Sequence, residues 1–227
     1  MLDTGLKMKT LDLFDLEKLA PGPEVDYSSM IRFLAQYYAA PERKLQELQR
    51  QKVLLRLKKG FYVFNSKKTS RVYRPEIVSN LLYGPSYLSL EFALAHYQLI
   101  PERVEEMTSV TTAKNKIYQT QIGTFSYQHL AHDLYPLLTR QESIEKKGYY
   151  LIASAEKAVL DFLVLKTKDV EFQSAIEVKQ FLEDDLRLDW KELLSLVNRS
   201  AIESALPYYQ RRRRARWFLE LLLKEKI

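Results

Sequence analysis

Residues 41–64 read PERKLQELQRQKVLLRLKKGFYVF, and the spacing of their apolar residues changes halfway along. Over residues 41–51 only Leu45 and Leu48 face a core, because at about 100° per residue they share one side of a helix. Pro41 suits the first turn of that helix, where its missing N–H goes unused. Arg43, Gln46, Glu47 and Arg50 project from the opposite side, so this helix buries little and exposes much. Leu54-Leu55-Arg56-Leu57-Lys58 and Phe61-Tyr62-Val63-Phe64 then read as two strands. They turn at Lys59-Gly60, where glycine is free to take the positive φ of a tight hairpin.

Upstream, Leu11, Leu13, Phe14, Leu16 and Leu19 recur at helical spacing and stop at Pro21-Gly22-Pro23, which breaks the pattern. Asp26 or Ser28 caps a second helix whose apolar face is Met30, Ile31, Phe33, Leu34, Tyr37 and Tyr38, ending before Ala39-Ala40-Pro41. Helix, helix and basic hairpin in this order predict a winged helix-turn-helix DNA-binding domain over residues 1–70.

Charge follows the same division. The net charge is +6, yet residues 1–74 hold 15 Lys and Arg against 8 Asp and Glu, and residues 75–227 hold 20 against 21. Between Tyr27 and Arg74 there are 12 basic residues and only Glu42 and Glu47 as acids. That local excess is the footprint of a polyanion binder. On the helix, Arg43 or Arg50 is placed to pair with guanine edges and Gln46 to read adenine, with Lys44, Glu47 and Gln51 alongside. On the hairpin, Arg56, Lys58 and Lys59 suit phosphate contacts, which position a protein without reading sequence.

Beyond Arg74 the pattern changes. Residues 77–83 are helical, Gly84-Pro85 makes a turn, and Ser89 caps a helix with Leu90, Ala93, Leu94 and Tyr97 inward. Residues 108–112, 116–122 and 124–127 are β-branched and aromatic runs broken at Lys114-Asn115 and Gly123, which predicts an antiparallel meander. Residues 149–153 add a strand, Ser154 caps a helix through Ala158, Val159, Phe162 and Leu163, and the rest has helical spacing. Residues 75–227 are therefore expected to form a mixed α+β domain with a helical C-terminus.

Composition excludes several functions. There is no cysteine, which removes disulfides, thiolate metal sites and thiol catalysis and agrees with a reducing, cytoplasmic location. Asp3 and the absence of a basic stretch leading an apolar run argue against a signal peptide, and no run of about 18 uncharged apolar residues predicts a membrane span. His129 and His132, with Asp133, have too few partners and no assured common face for a metal site. Glu156, Lys157 and Asp161 lie on one helix like a nuclease carboxylate and lysine cluster, but capping and surface ion pairing account for them. The six glycines form no phosphate cradle, so no cofactor is expected. Arg211-Arg212-Arg213-Arg214-Ala215-Arg216 opens an apolar helix against the macrodipole. Internal acids such as Glu183, Asp184 and Asp185, a partner protein or nucleic acid are candidates to compensate it.

Several segments in order carry a family resemblance: Tyr38-Ala39-Ala40-Pro41, Leu57-Lys58-Lys59-Gly60-Phe61-Tyr62-Val63, Tyr83-Gly84-Pro85-Ser86-Tyr87-Leu88-Ser89-Leu90-Glu91, Ile100-Pro101-Glu102, Thr108-Ser109-Val110-Thr111 and Gly123-Thr124-Phe125-Ser126-Tyr127. Over residues 27–165 the chain resembles the AbiEi-type antitoxins of bacterial abortive-infection systems. The resemblance implies a winged helix that represses its own operon by binding double-stranded operator DNA. It also implies a C-terminal domain that counters a co-encoded nucleotidyltransferase-like toxin, with no catalytic activity required. Tyr83, Ser86, Tyr87 and the run Arg211, Arg212, Arg213 and Arg214 are the candidate partner-facing residues. The chain departs from the family where the recognition helix meets the wing: Gln51-Lys52-Val53 replaces the usual glycine. The rival readings are a stand-alone winged-helix transcription factor whose C-terminal domain senses a ligand or dimerises, and an enzyme using Glu156 and Asp161.

Overall fold

In a computed structural model of the chain, residues 11–144 and 148–225 are described. The chain divides into two compact units, Met1–Val78 and Ser79–Ile227. The division falls inside a helix, α4 (Pro75–Leu82), a few residues beyond the break expected at 70–75.

The first unit contains α1 (Leu13–Leu19), β1 (Glu24–Asp26), α2 (Tyr27–Leu34), α3 (Pro41–Arg50), β2 (Leu54–Lys58) and β3 (Phe61–Phe64). Its three-stranded antiparallel sheet runs β1-β3-β2. The helices begin where the side chains dictate. Asp12 caps α1 through the Asp15 N–H, and Asp26 caps α2 through the Ser29 N–H at 3.0 Å and hydroxyl at 2.6 Å. Those donated hydrogen bonds, led by the Ser29 hydroxyl, lower the Asp26 pKa. Leu16, Val25, Met30, Phe33, Leu34, Leu45, Leu48, Leu54 and Phe64 form one apolar core. The stretch after β3 returns over α1, where the Glu17 carboxylate accepts from the Ser70 N–H and hydroxyl. Arg71 donates to the carbonyls of Glu17, Lys18 and Ala20, closing the helix end.

Early in the second unit lies a cis Gly84-Pro85 bond. It contains β4 (Ser86–Leu88), α5 (Leu90–His96), β5 (Met107–Thr111), β6 (Lys116–Thr120), β7 (Gly123–His129), β8 (Thr139–Ile144) and β9 (Gly148–Ala153). Helices α6 (Ala155–Leu165), α7 (Ala175–Gln180), α8 (Trp190–Leu196), α9 (Arg199–Ala205) and α10 (Arg213–Lys224) follow. The chain is thus mixed α+β with a helical C-terminal part.

The expected meander is not what forms. The six-stranded sheet runs β6-β7-β5-β4-β9-β8, with β7 parallel to β5 and lying between it and β6. Burial explains the order: every residue of β5 is buried, whereas β6 is exposed or half-buried throughout. A meander would put the polar β6 between two buried strands. As an edge strand it keeps its polar residues in water. Mixed pairing continues on the other side, where β4 is antiparallel to β5 and parallel to β9.

Ser154 caps α6 through the Lys157 N–H, as its position suggests. Ser89 precedes α5 but makes no such bond. The Phe92 N–H is taken instead by the Thr108 hydroxyl at 3.0 Å, and the Ser89 hydroxyl donates to Asp161 Oδ2 at 2.8 Å. That second contact belongs to a buried polar network. Lys157 and Asp161, 0% and 1% exposed, pair at 2.8 Å, so they are an interior ion pair and not the surface pair expected. Asp161 Oδ2 also accepts from the Tyr87 hydroxyl at 2.9 Å, and Lys157 Nζ donates to Leu134 O at 3.0 Å and the Tyr209 hydroxyl at 3.2 Å.

Glu156 is equally buried, and among the described residues neither of its carboxylate oxygens has a hydrogen-bond partner. Burial raises its pKa above the ordinary 4.5. The native state therefore holds a proton that the unfolded chain releases first, so stability falls as pH rises from about 4.5 through the native pKa. Glu156→Gln is expected to raise the melting temperature at pH 7 and to leave it unchanged at pH 4. An equal gain at both pH values would show that the carboxyl is not protonated by burial.

Candidate nucleic-acid interface

The surface of α3 is set by its two inward leucines. Leu45 and Leu48 are 2% and 3% exposed, and Arg43, Gln46 and Arg50 are open to solvent. With Glu47 they border one hollow of about 310 Å³. Lys44, Glu47 and Gln51 are more occupied: Lys44 Nζ and Gln51 Nε2 reach the same Glu47 oxygen at 3.3 and 3.0 Å, and Lys44 lies 5.1 Å from the Tyr38 ring centre. The two arginines and Gln46 are thus presented outward, with Glu42 also exposed at the start of the helix. Guanidinium and amide groups are the side chains that can pair with the donor and acceptor edges of bases in a major groove.

The hairpin follows directly. Arg56 and Lys59 are exposed, while Lys58 is half-buried, 6.0 Å from the Phe61 ring centre, with its pKa lowered by burial. The strand register slips between Arg56 and Lys58, and Gly60 adopts φ +81° at the turn. The bulge and the glycine let the tip carry adjacent lysines while Leu55 and Leu57 stay buried.

Where the resemblance would place a glycine, Lys52 itself adopts the left-handed conformation, φ 56°. The Val53 N–H bonds Leu48 O and the Lys52 N–H bonds Gln49 O, both at 2.9 Å, which is a Schellman closure. Sequence reasoning missed the side chains that support it: Asn65 Nδ2 donates to Lys52 O at 2.9 Å and Lys68 Nζ to Gln51 O at 2.7 Å. A polar Asn-Ser-Lys-Lys run after a strand was the available signal. Lys52→Gly is expected to stabilise the fold by up to about 1 kcal/mol, since a left-handed residue with a Cβ costs about 1–2 kcal/mol and glycine's larger unfolded-state entropy offsets part of that. Urea unfolding measures it, and a loss of stability would contradict the closure described.

The other candidate residues are dispersed. Ser86 and Tyr87 are 3% and 0% exposed and belong to the interior of the second unit, which corrects their assignment as partner-facing. Tyr83 is half-buried, edge-on to Tyr127 at 5.2 Å, and its hydroxyl donates to Lys114 O. Arg211 is exposed and Arg212 pairs with Asp133 at 3.3 Å. Arg213 and Arg214 contact Gln173 and Thr167 backbone oxygens. Glu183, suggested as a counter-charge for this run, pairs with Lys179 instead. His129 Nδ1 lies 3.1 Å from Ala113 O, and no group of three potential metal ligands occurs among the described residues. No helix among them is long and apolar enough to cross a membrane.

No protein-family profile and no curated protein matches this chain. A solved structure, titled the crystal structure of the RV2827C protein from Mycobacterium tuberculosis, is similar at a TM-score of 0.50 and 13% identity, covering 93% of this chain and 80% of that one. The similarity is one of fold.

Proposed function

We propose that this chain is a DNA-binding repressor whose first unit acts as a winged helix, with α3 in the major groove and the β2–β3 hairpin as the wing. The observation that carries this reading is the pairing of an outward Arg43, Gln46 and Arg50 face with a hairpin bearing Arg56, Lys58 and Lys59. Charge supports it, since the basic excess of the chain is concentrated between Tyr27 and Arg74. The antitoxin role rests on the resemblance to the AbiEi type: the chain represses its own operon and counters a nucleotidyltransferase-like toxin encoded beside it.

Titration of the full chain with a duplex from upstream of its own gene, against a scrambled duplex, tests the DNA reading. Specific affinity is expected to exceed scrambled affinity by about a thousandfold or more. Lys58→Ala with Lys59→Ala is expected to weaken both duplexes and to flatten the dependence of log K on log salt by about 0.9 per lost phosphate contact. Unchanged affinity and slope would remove the hairpin from the interface. Co-expression with the neighbouring gene in a growth assay tests the antitoxin role, and persistent toxicity would refute it.

A further inference from the structure

The arginine run that opens α10 is divided by its neighbours. Arg212 is matched by Asp133 and Arg216 by Glu220, each at 3.3 Å. Arg213 and Arg214 between them have no carboxylate within 4.0 Å among the described residues, and neither has Lys168. These three unmatched cations line one cavity of about 410 Å³, with Phe172 and Trp217 as its aromatic walls. Glu171, the single acid on its rim, leaves an excess of two positive charges.

The two guanidinium groups are fixed in place. Arg213 lies over Trp217, 4.4 Å from the ring centre, and donates to Gln173 O at 3.4 Å. Arg214 lies 5.8 Å from the Phe172 ring centre and donates to Thr167 O and, at 2.8 Å, to Thr167 Oγ1. Phe172 is itself held edge-on by Phe181 at 5.4 Å. Held guanidinium planes lose little freedom when an oxyanion arrives, which favours binding. They also stand in the first turn of a 12-residue helix whose N-cap residue, Arg212, offers no side-chain cap. Unshielded cations there oppose the helix dipole, and a bound anion would satisfy both.

We propose that this cavity binds a small molecule bearing two or three linked phosphoryl groups, held by Lys168, Arg213 and Arg214. One phosphate would match the excess of two charges but fill little of the hollow, whose volume lies in the range of small-molecule sites, about 300–1,000 Å³, and leaves room for further linked phosphoryl groups. The site lies within the second unit and does not depend on the DNA-binding reading.

Sodium triphosphate titrated into the full chain by calorimetry tests the proposal, with sodium sulfate at matched ionic strength as the control. Tryptophan emission in a Trp190→Phe variant, which leaves Trp217 as the reporter, locates the event. The expected result is saturable triphosphate binding with a change in Trp217 emission, much weaker sulfate binding, and at least about tenfold weaker binding in Lys168→Gln with Arg213→Gln. Both substituted side chains are exposed, so far-UV circular dichroism should not change. Arg43→Ala with Arg50→Ala should bind triphosphate as the parent does. Failure to saturate, equal response to sulfate, unaltered affinity in the Lys168 and Arg213 variant, or loss of binding in the α3 variant would each overturn the proposal.

Discussion

Asp161→Ala is expected to destabilise the second unit by about 3–5 kcal/mol, because it leaves a buried ammonium without its counter-charge. Among the described residues, Lys157 Nζ, fully enclosed, would keep as hydrogen-bond partners two neutral oxygens, Leu134 O and the Tyr209 hydroxyl. The Tyr87 and Ser89 hydroxyls would lose their acceptor as well. Burial already pulls the Lys157 pKa down and Asp161 opposes that pull, so removing the acid should drive the lysine towards its neutral form. Both tryptophans lie in this unit, at positions 190 and 217, so their emission during urea unfolding follows it directly. Lys157→Met combined with Asp161→Ala should cost less than the sum of the single changes, since the two side chains act as one pair. A loss below about 1 kcal/mol for Asp161→Ala would show that the pair is not structurally important.

Arg43→Ala with Arg50→Ala is expected to remove operator discrimination while leaving the fold intact. Both side chains are exposed on α3, and exposed substitutions usually change stability by within about 0.5 kcal/mol. Each arginine that reads a guanine through two hydrogen bonds contributes about 1–3 kcal/mol of preference for the right base. Specific binding should therefore fall by one to several orders of magnitude, and binding to scrambled duplex should fall less, as it depends on total charge. Toxin neutralisation should survive when expression is driven from a foreign promoter. Retained operator repression with lost neutralisation would mean that α3 faces the toxin instead of DNA.

The sequence was informative where a few neighbouring residues settle the outcome. The hairpin at Lys59-Gly60, the start of α3 at Pro41 and the capping of α2, narrowed to Asp26 or Ser28 and made by Asp26, were legible, because φ limits and side-chain reach act within three or four residues. The exposure of Arg43, Gln46 and Arg50 followed from helix periodicity around Leu45 and Leu48. The three residues of β1 were not legible, since so short a run after Pro21-Gly22-Pro23 becomes a strand only by pairing with β3.

Strand order and burial of charge depended on contacts distant in sequence. Three consecutive strands with short connections suit a meander, and only the competition among β5, β6 and β7 for the interior placed β7 beside β5. Lys157 and Asp161 sit four residues apart, a spacing that serves a surface pair or a buried one equally well. What buries them is the arrival of Tyr87, Ser89, Leu134 and Tyr209 from other parts of the chain. The same holds for the arginine run, one block of charge along the chain that the fold divides residue by residue. Asp133 and Glu220 match Arg212 and Arg216, while Lys168 joins Arg213 and Arg214 around a cavity. Local backbone preferences and periodicity determine elements and their outward faces; which charges meet is decided when long-range packing brings their partners within a few ångströms, where desolvation and Coulomb energy become large.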